Sequence, residues 1–178
     1  MPDAGREAEG VTLVLGGARS GKSSFAEGVV TSLPRPWVYI ATAEAHDDEM
    51  AARIAEHQAH REAGWHTIEA PHDLHDALRA APKGAVVLVD CLTLWLSNIM
   101  HGPYDIERAE ALLEEALHER ENATLLVSNE VGLGLVPETP LGRAFRDAQG
   151  RLNQRIAAIA GRVILVVAGQ PLFVKGSR

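Results

Sequence analysis

The sequence predicts an α/β fold, a mostly parallel central sheet with helices on both faces, and three observations predict it. Short β-branched apolar runs recur along the chain, they are continuous rather than alternating, and helical patterns fall between them. A strand with one wet face alternates apolar and polar residues, whereas a strand covered on both faces is apolar throughout, so continuous runs mark parallel strands between helical layers. Regular alternation of such strands with helices is the pattern of a doubly covered sheet.

The elements follow in order. Residues 1–10 are polar and rich in Gly, Ala and Glu, which predicts a loose tail ahead of one catalytic unit, 11–178. The first strand, 11–15, runs directly into a glycine-rich segment, and a helix follows from Ser24. The second strand is 37–41. Residues 47–62 read as a helix with acids in its first turn, where the helix dipole favours them. A short run, 65–68, and a surface helix with His72, Asp73, His75 and Asp76, read as solvated, lead to the third strand, 85–89. Another helix follows Asp90. Ile106, Ala109, Leu113, Ala116 and Leu117 mark an amphipathic helix before the fourth strand, 124–128. Leu141, Phe145, Ala148, Leu152, Ile156 and Ile159 are spaced 4, 3, 4, 4 and 3, one apolar stripe on a long helix that precedes the fifth strand, 163–167. No internal repeat or domain linker interrupts this order.

Composition excludes whole classes. A chain of 178 residues suits one domain and buries roughly 70% of its unfolded surface, enough to need no covalent staple. The single cysteine, Cys91, forms no intrachain disulfide, which points to a reducing cytoplasm. No apolar stretch approaches the ~18 residues that span a bilayer. A net charge of −7 argues against a nucleic-acid partner, whose phosphates call for Lys and Arg. The charge is uneven: from Leu141 onward seven basic residues face one acid, Asp147. Such a basic quarter suits a phosphorylated small molecule, an acidic neighbouring subunit, or simply a solvated helix face.

The glycine-rich segment carries the chemistry. Gly16-Gly17-Ala18-Arg19-Ser20-Gly21-Lys22-Ser23 matches G-x-x-x-x-G-K-[ST] with a strand before it and a helix after it, the context this phosphate-binding motif requires. Its backbone N–H groups and the following helix N-terminus attract phosphate oxygens, Lys22 reaches the β- and γ-phosphates, and the Ser23 hydroxyl suits Mg²⁺. Asp90 ends the third strand, at the sheet edge where ligands bind in open α/β folds, and is expected as the second Mg²⁺ residue; its alternative is to cap the next helix. His57 shares a helix face with Met50 and Ile54, a spacing that by itself reads as packing. Glu56, His57 and His60 spread around one helix make a poor zinc set.

Taken together, the chain resembles the bifunctional adenosylcobinamide kinase / adenosylcobinamide-phosphate guanylyltransferase family of cobalamin biosynthesis. The likeness runs from about Thr12 to the C-terminus. It is carried by the phosphate loop, by Tyr39-Ile-Ala-Thr-Ala43, by Asp48 to Ile54 with His57, and most narrowly by Ser128-Asn-Glu-Val-Gly-Leu-Gly-Leu-Val-Pro137 with Leu141-Gly-Arg-Ala-Phe-Arg-Asp147 and Asn153-Gln-Arg155. The resemblance implies a RecA-like P-loop NTPase domain. It implies phosphorylation of adenosylcobinamide from ATP or GTP, then GMP transfer from GTP through a guanylylated histidine, which the motif places at His57. It implies nucleotide contacts at Gly16 to Ser23, at Ala41, Thr42 and Ala43, at Gln58, Ala59, His60 and Arg61, and at Glu69 and Asp90. It also implies Mg²⁺ and a homo-oligomer, with trimers known in the family. The family often has Arg-Pro after the histidine, whereas here Arg61 is followed by Glu62 and Ala63.

These residue types suit that chemistry. In phosphoryl transfer, positioning and charge neutralisation dominate, and no general base is obviously required. In GMP transfer a neutral imidazole attacks the α-phosphorus and pyrophosphate leaves, so two displacements give ping-pong behaviour. A carboxylate at Glu69 accepts from the guanine N1 and N2 hydrogens and disfavours adenine. A plain P-loop small-molecule kinase, without guanylyltransferase activity, is the rival reading.

Overall fold

A computed structural model of the chain describes residues 10–44 and 64–177. The elements are β1 (Val11–Gly16), α1 (Lys22–Thr31), β2 (Trp37–Ala41), β3 (Trp65–Glu69), α2 (Leu74–Ala80), β4 (Val86–Asp90), α3 (Leu92–His101), α4 (Ile106–His118), β5 (Thr124–Asn129), α5 (Pro140–Ile159), β6 (Arg162–Val167) and β7 (Gln170–Lys175). They build a seven-stranded sheet in the order β3-β2-β4-β5-β1-β6-β7. Neighbours from β3 to β6 pair in parallel, and β7 turns back antiparallel on β6.

The continuous apolar runs resolve into two faces. Along each central strand, successive side chains belong to different cores, as the two-residue period of a strand requires. Leu13, Val38, Ile40, Val87, Val89, Leu126 and Val163 pack with α2, α3, α4 and α5, through Leu74, Leu78, Leu92, Trp95, Leu96, Leu113, Leu117, Leu152 and Ile156. Val14, Trp37, Tyr39, Val86, Leu88, Leu125, Val127, Ile164 and Val166 pack on the other face, where α1 contributes Ala26 and Val30. Each fully buried leucine or isoleucine contributes roughly 1.5–3 kcal/mol of transfer free energy, so both faces hold the sheet.

Helix ends follow local chemistry. Thr139 caps α5, its Oγ1 accepting from Gly142 N–H at 3.1 Å, with Pro140 opening the first turn. Asp105 caps α4, its carboxylate accepting from Arg108 N–H at 3.1 Å.

Three expectations change. The five predicted strands are seven, because β3 and β7 lie at the two edges of the sheet. Edge strands are wet on at least one side, and β3 exposes His66, Thr67 and Glu69, so it lacks the continuous apolar signature. β7 contains Pro171, tolerated because β7 has a neighbour on one side only. The surface helix with His72 and His75 shortens to α2, and His72 precedes it. His72 is partly buried, stacked on Tyr104 with ring centroids 4.9 Å apart and its Nε2 3.5 Å from Glu44 Oε1. Finally, the basic helix α5 is not simply a solvated face. Arg155 donates to Glu114 at 2.5 Å and to buried Glu110 at 2.7 Å, joining α5 to α4. Burial raises the Glu110 pKa and the Arg155 charge opposes that rise.

Candidate active site

The phosphate loop closes on glycine positions that admit nothing else. A Cβ at Gly16 would stand 2.3 Å from Ser20 Oγ and 2.8 Å from the Val166 carbonyl oxygen. Gly21 holds φ at +89°, and a Cβ there would lie 3.1 Å from Gly169 Cα. The left-handed backbone at Gly21 lets the loop reverse directly into α1, which starts at Lys22 rather than Ser24. Ser20 N–H donates to the Gly17 carbonyl at 3.3 Å, Phe25 N–H to that of Gly21 at 2.9 Å, and Gly169 N–H to that of Ser20 at 2.7 Å. The β6–β7 turn therefore pins the loop from its outer side. Lys22 Nζ donates to the Gly17 carbonyl at 3.1 Å, which folds the ammonium over the loop. Ser20 Oγ is buried and finds no partner among the described residues. Buried hydroxyls are normally paired, so this one stands out within the loop.

Asp90 stands where the strand pattern places it, as the last residue of β4. It does not cap α3. That position falls to Cys91, whose Sγ accepts from Leu94 N–H at 3.4 Å, while Asp90 Oδ2 accepts from the Tyr39 hydroxyl at 3.1 Å. Tyr39 is buried and meets Trp65 edge-on at 5.9 Å, so β2 and β3 fix the carboxylate's orientation. Burial, then the Asp90 charge, pushes the Cys91 thiol up to about 12, leaving it a neutral packing group.

Thr42 ties the end of β2 to this turn. Its Oγ1 donates to the Cys91 carbonyl at 2.7 Å and accepts from Cys91 N–H at 2.8 Å. Asn98 Nδ2 donates to the Thr42 carbonyl at 2.8 Å and to that of Pro71 at 3.0 Å. The Thr42 hydroxyl is thus committed inside the protein, and it fixes where Ala41, Ala43 and Asp90 stand relative to one another. Glu69 ends β3, exposed and in register with Ala41, which in turn lies opposite Asp90. Four strand spacings separate Glu69 from the phosphate loop, roughly 19 Å at about 4.8 Å each. His57, Gln58, Ala59, His60 and Arg61 lie outside the described residues.

One pair at this edge had no role in the sequence reading. Asn129 ends β5 in register with Gly16, and Glu130 N–H donates to the Gly16 carbonyl at 3.1 Å. The signal was the one that singled out Asp90, polar residues directly after an apolar run at the ligand edge. In the sequence these residues stand out only as part of a family motif. A hard cation that prefers oxygen ligands suits the donors present, the Ser23 hydroxyl and the Asp90 carboxylate. Among the described residues no cluster of three or more His, Cys, Asp or Glu could hold a metal.

Residues 12–174 match the family described as cobinamide kinase / cobinamide phosphate guanyltransferase. The chain belongs to that family. It is 47% identical over 167 residues to the bifunctional adenosylcobalamin biosynthesis protein CobP of Pseudomonas aeruginosa, covering 92% of this chain and 96% of that one. It is 42% identical over 180 residues to the bifunctional adenosylcobalamin biosynthesis protein CobU of Salmonella typhimurium, covering 92% and 98%. Among solved structures it resembles the flagellar accessory protein FlaH of Methanocaldococcus jannaschii, with a TM-score of 0.54 at 10% identity over 94% of this chain and 79% of that one. It also resembles the Pyrococcus horikoshii protein PH0250, with a TM-score of 0.56 at 10% identity over 96% and 87%. These two show the fold alone, a mostly parallel sheet with helices on both faces. The chain is a bifunctional transferase, a cobinamide kinase and a GTP:adenosylcobinamide-phosphate guanylyltransferase of cobalamin biosynthesis. No described helix is long and apolar enough to cross a membrane.

Proposed function

We propose that one nucleotide site, laid along the carboxyl edge of the sheet, serves both half reactions. The observation that carries this reading is the closed phosphate loop, with Lys22 folded over it and an unpartnered Ser20 hydroxyl within it. The loop N–H groups, Lys22 and the α1 N-terminus hold the triphosphate of ATP or GTP. Glu69, four strands away, accepts from the guanine edge and selects GTP for the second step. Ala41 and Ala43 line the path between these two ends. Ser23 and Asp90 would hold Mg²⁺, whose charge offsets that of the phosphates when it is bound.

In the first step the aminopropanol hydroxyl of adenosylcobinamide takes the γ-phosphoryl group. In the second, His57 takes GMP from GTP with release of pyrophosphate and passes it to the new phosphate, with Gln58, Ala59, His60 and Arg61 completing the contacts. Neutral imidazole is the attacking form, since a protonated ring nitrogen has no lone pair to offer. A homo-oligomer, a trimer by family resemblance, accords with the aliphatic side chains of Leu133, Leu135 and Val136, which stand more than half exposed. A reducing cytoplasm suits the lone, buried thiol of Cys91.

The test is intact mass after incubation with GTP and Mg²⁺, followed by peptide mapping. One added GMP, mapped to His57, is the expected result. GTP bound without an adduct would leave the kinase half alone supported and remove His57 from the chemistry.

A further inference from the structure

We propose that Glu130 is the base of the kinase step, receiving the proton of the acceptor hydroxyl as that oxygen takes the γ-phosphoryl group. The inference rests on the phosphate loop holding the donor nucleotide, as proposed above. It begins with strand order. β5 lies between β1, which feeds the phosphate loop, and β4, which ends at Asp90. The tip of β5 therefore stands between the two features expected to hold the triphosphate. Gly16 is paired with Asn129, and Glu130 is the next residue, bonded through its N–H to the Gly16 carbonyl at 3.1 Å.

This tip is held firmly. Asn129 N–H donates to Thr93 Oγ1 on α3 at 2.8 Å, and Asn153 Nδ2 on α5 donates to the Asn129 carbonyl at 3.1 Å. Asn153 is itself fixed by Ser128 Oγ–H at 2.7 Å and by Gln149 Nε2 at 3.0 Å, all three residues being buried. A base contributes only if it is held within hydrogen-bond reach of the proton it removes, and two helices fixing Asn129 anchor the residue from which Glu130 extends. Glu130 Oε1 accepts from Gly132 N–H at 2.7 Å, which aims the carboxylate, while the described residues give its second oxygen no partner. The other carboxylates of this edge are less suited. Asp90 is engaged by Tyr39 and assigned to the cation, and Glu44 and Glu69 follow strands farther from the loop.

The step balances without any further reactant. The acceptor oxygen forms its bond to the γ-phosphorus, the bond from that phosphorus to the β–γ bridging oxygen breaks, and the electron pair leaves with the nucleoside diphosphate. The hydroxyl proton passes to Glu130, which later yields it to water. The second half reaction has no such requirement, because its acceptor is a phosphate already ionised at neutral pH. Glu130 is thus expected to serve one step and not the other, which makes the inference testable inside a single protein.

The experiment compares full-length wild type, Glu130→Gln and Glu130→Asp in two assays. One follows phosphorylation of adenosylcobinamide, and the other GMP transfer to adenosylcobinamide phosphate supplied directly. Glu130→Gln should lower kinase kcat roughly 10²-fold or more with little change in nucleotide KM, in the range a positioned base contributes. GMP transfer should stay close to wild type, and Glu130→Asp should recover part of the kinase rate. Kinase activity of Glu130→Gln within a few-fold of wild type would overturn the inference. So would equal loss of both activities, which would reduce Glu130 to a structural residue of the β5 tip. A wild-type protein without kinase turnover would instead strike the nucleotide-site reading on which this one rests.

Discussion

The two ends of the ligand edge are built in different ways. At the proposed phosphate end, the groups are those of the backbone: loop N–H groups, a left-handed Gly21 and close approaches that only glycine permits at Gly16. The parts lie consecutively in the chain, and the β6–β7 turn and the β5 tip merely brace them. At the proposed base end, the groups are side chains brought together from β2, β3 and β4. There Thr42 clamps one turn to another, Tyr39 orients Asp90, and Glu69 stands on an exposed edge strand. Under the proposed reading, phosphate binding is a local property of eight residues, whereas base selection is a property of the assembled sheet.

That contrast breaks if the two ends act independently, and Lys22→Ala tests it with the largest expected effect. The lysine ammonium acts as a point charge on phosphates that both reactions require. Both kinase turnover and GMP adduct formation should fall by roughly 10²-fold or more, comparable to losing one preorganised charge-stabilising group. Loss of kinase activity alone, with the GMP adduct forming at the wild-type rate, would mean that GTP reaches the histidine from a different site.

Glu69→Ala sharpens the contrast from the other end. A charged acceptor on the guanine edge is worth roughly 1.5–3 kcal/mol, so its removal should narrow discrimination of GTP against ATP in adduct formation by about 10- to 100-fold. Kinase turnover with a saturating donor should change far less. An unaltered GTP preference would place base recognition elsewhere along the edge.

The same contrast explains what the sequence disclosed. The phosphate loop was legible because its requirements are contiguous, and Asp90 because a polar residue after a buried run can point only to the sheet's edge. The doubly covered strands were legible because both neighbours of each are helical layers. β7 was not, since its Pro171 and its exposed Leu172 and Val174 look like a loop until β6 is there to pair with them. His57 shows the converse. Its spacing reads as packing, and only the surrounding motif assigns it chemistry. Glu130 stayed hidden because β5's place between β4 and β1 is a matter of topology, and chain order gives no hint of which strands are neighbours.

The smallest effect concerns the brace at the phosphate end. Asn153→Ala removes the amide that joins α5 to the Asn129 carbonyl and leaves Ser128 Oγ–H without its acceptor in a buried layer, while Gln149 Nε2 keeps its bond to Ser128 Oγ at 2.9 Å. Each unsatisfied buried polar group costs roughly 1–3 kcal/mol, though water entering the vacated volume offsets part of that. A net loss of about 2 kcal/mol corresponds to a fall in Tm of roughly 4–8 °C for a chain of this size, measured by thermal denaturation without nucleotide. The kinase step should weaken more than GMP transfer, because the displaced element is the β5 tip and not the loop itself. A Tm within about one degree of wild type, with unchanged kinase turnover, would show that the tip holds its place through its strand pairing with β1 and β4, and that the polar layer beneath it contributes nothing to either function.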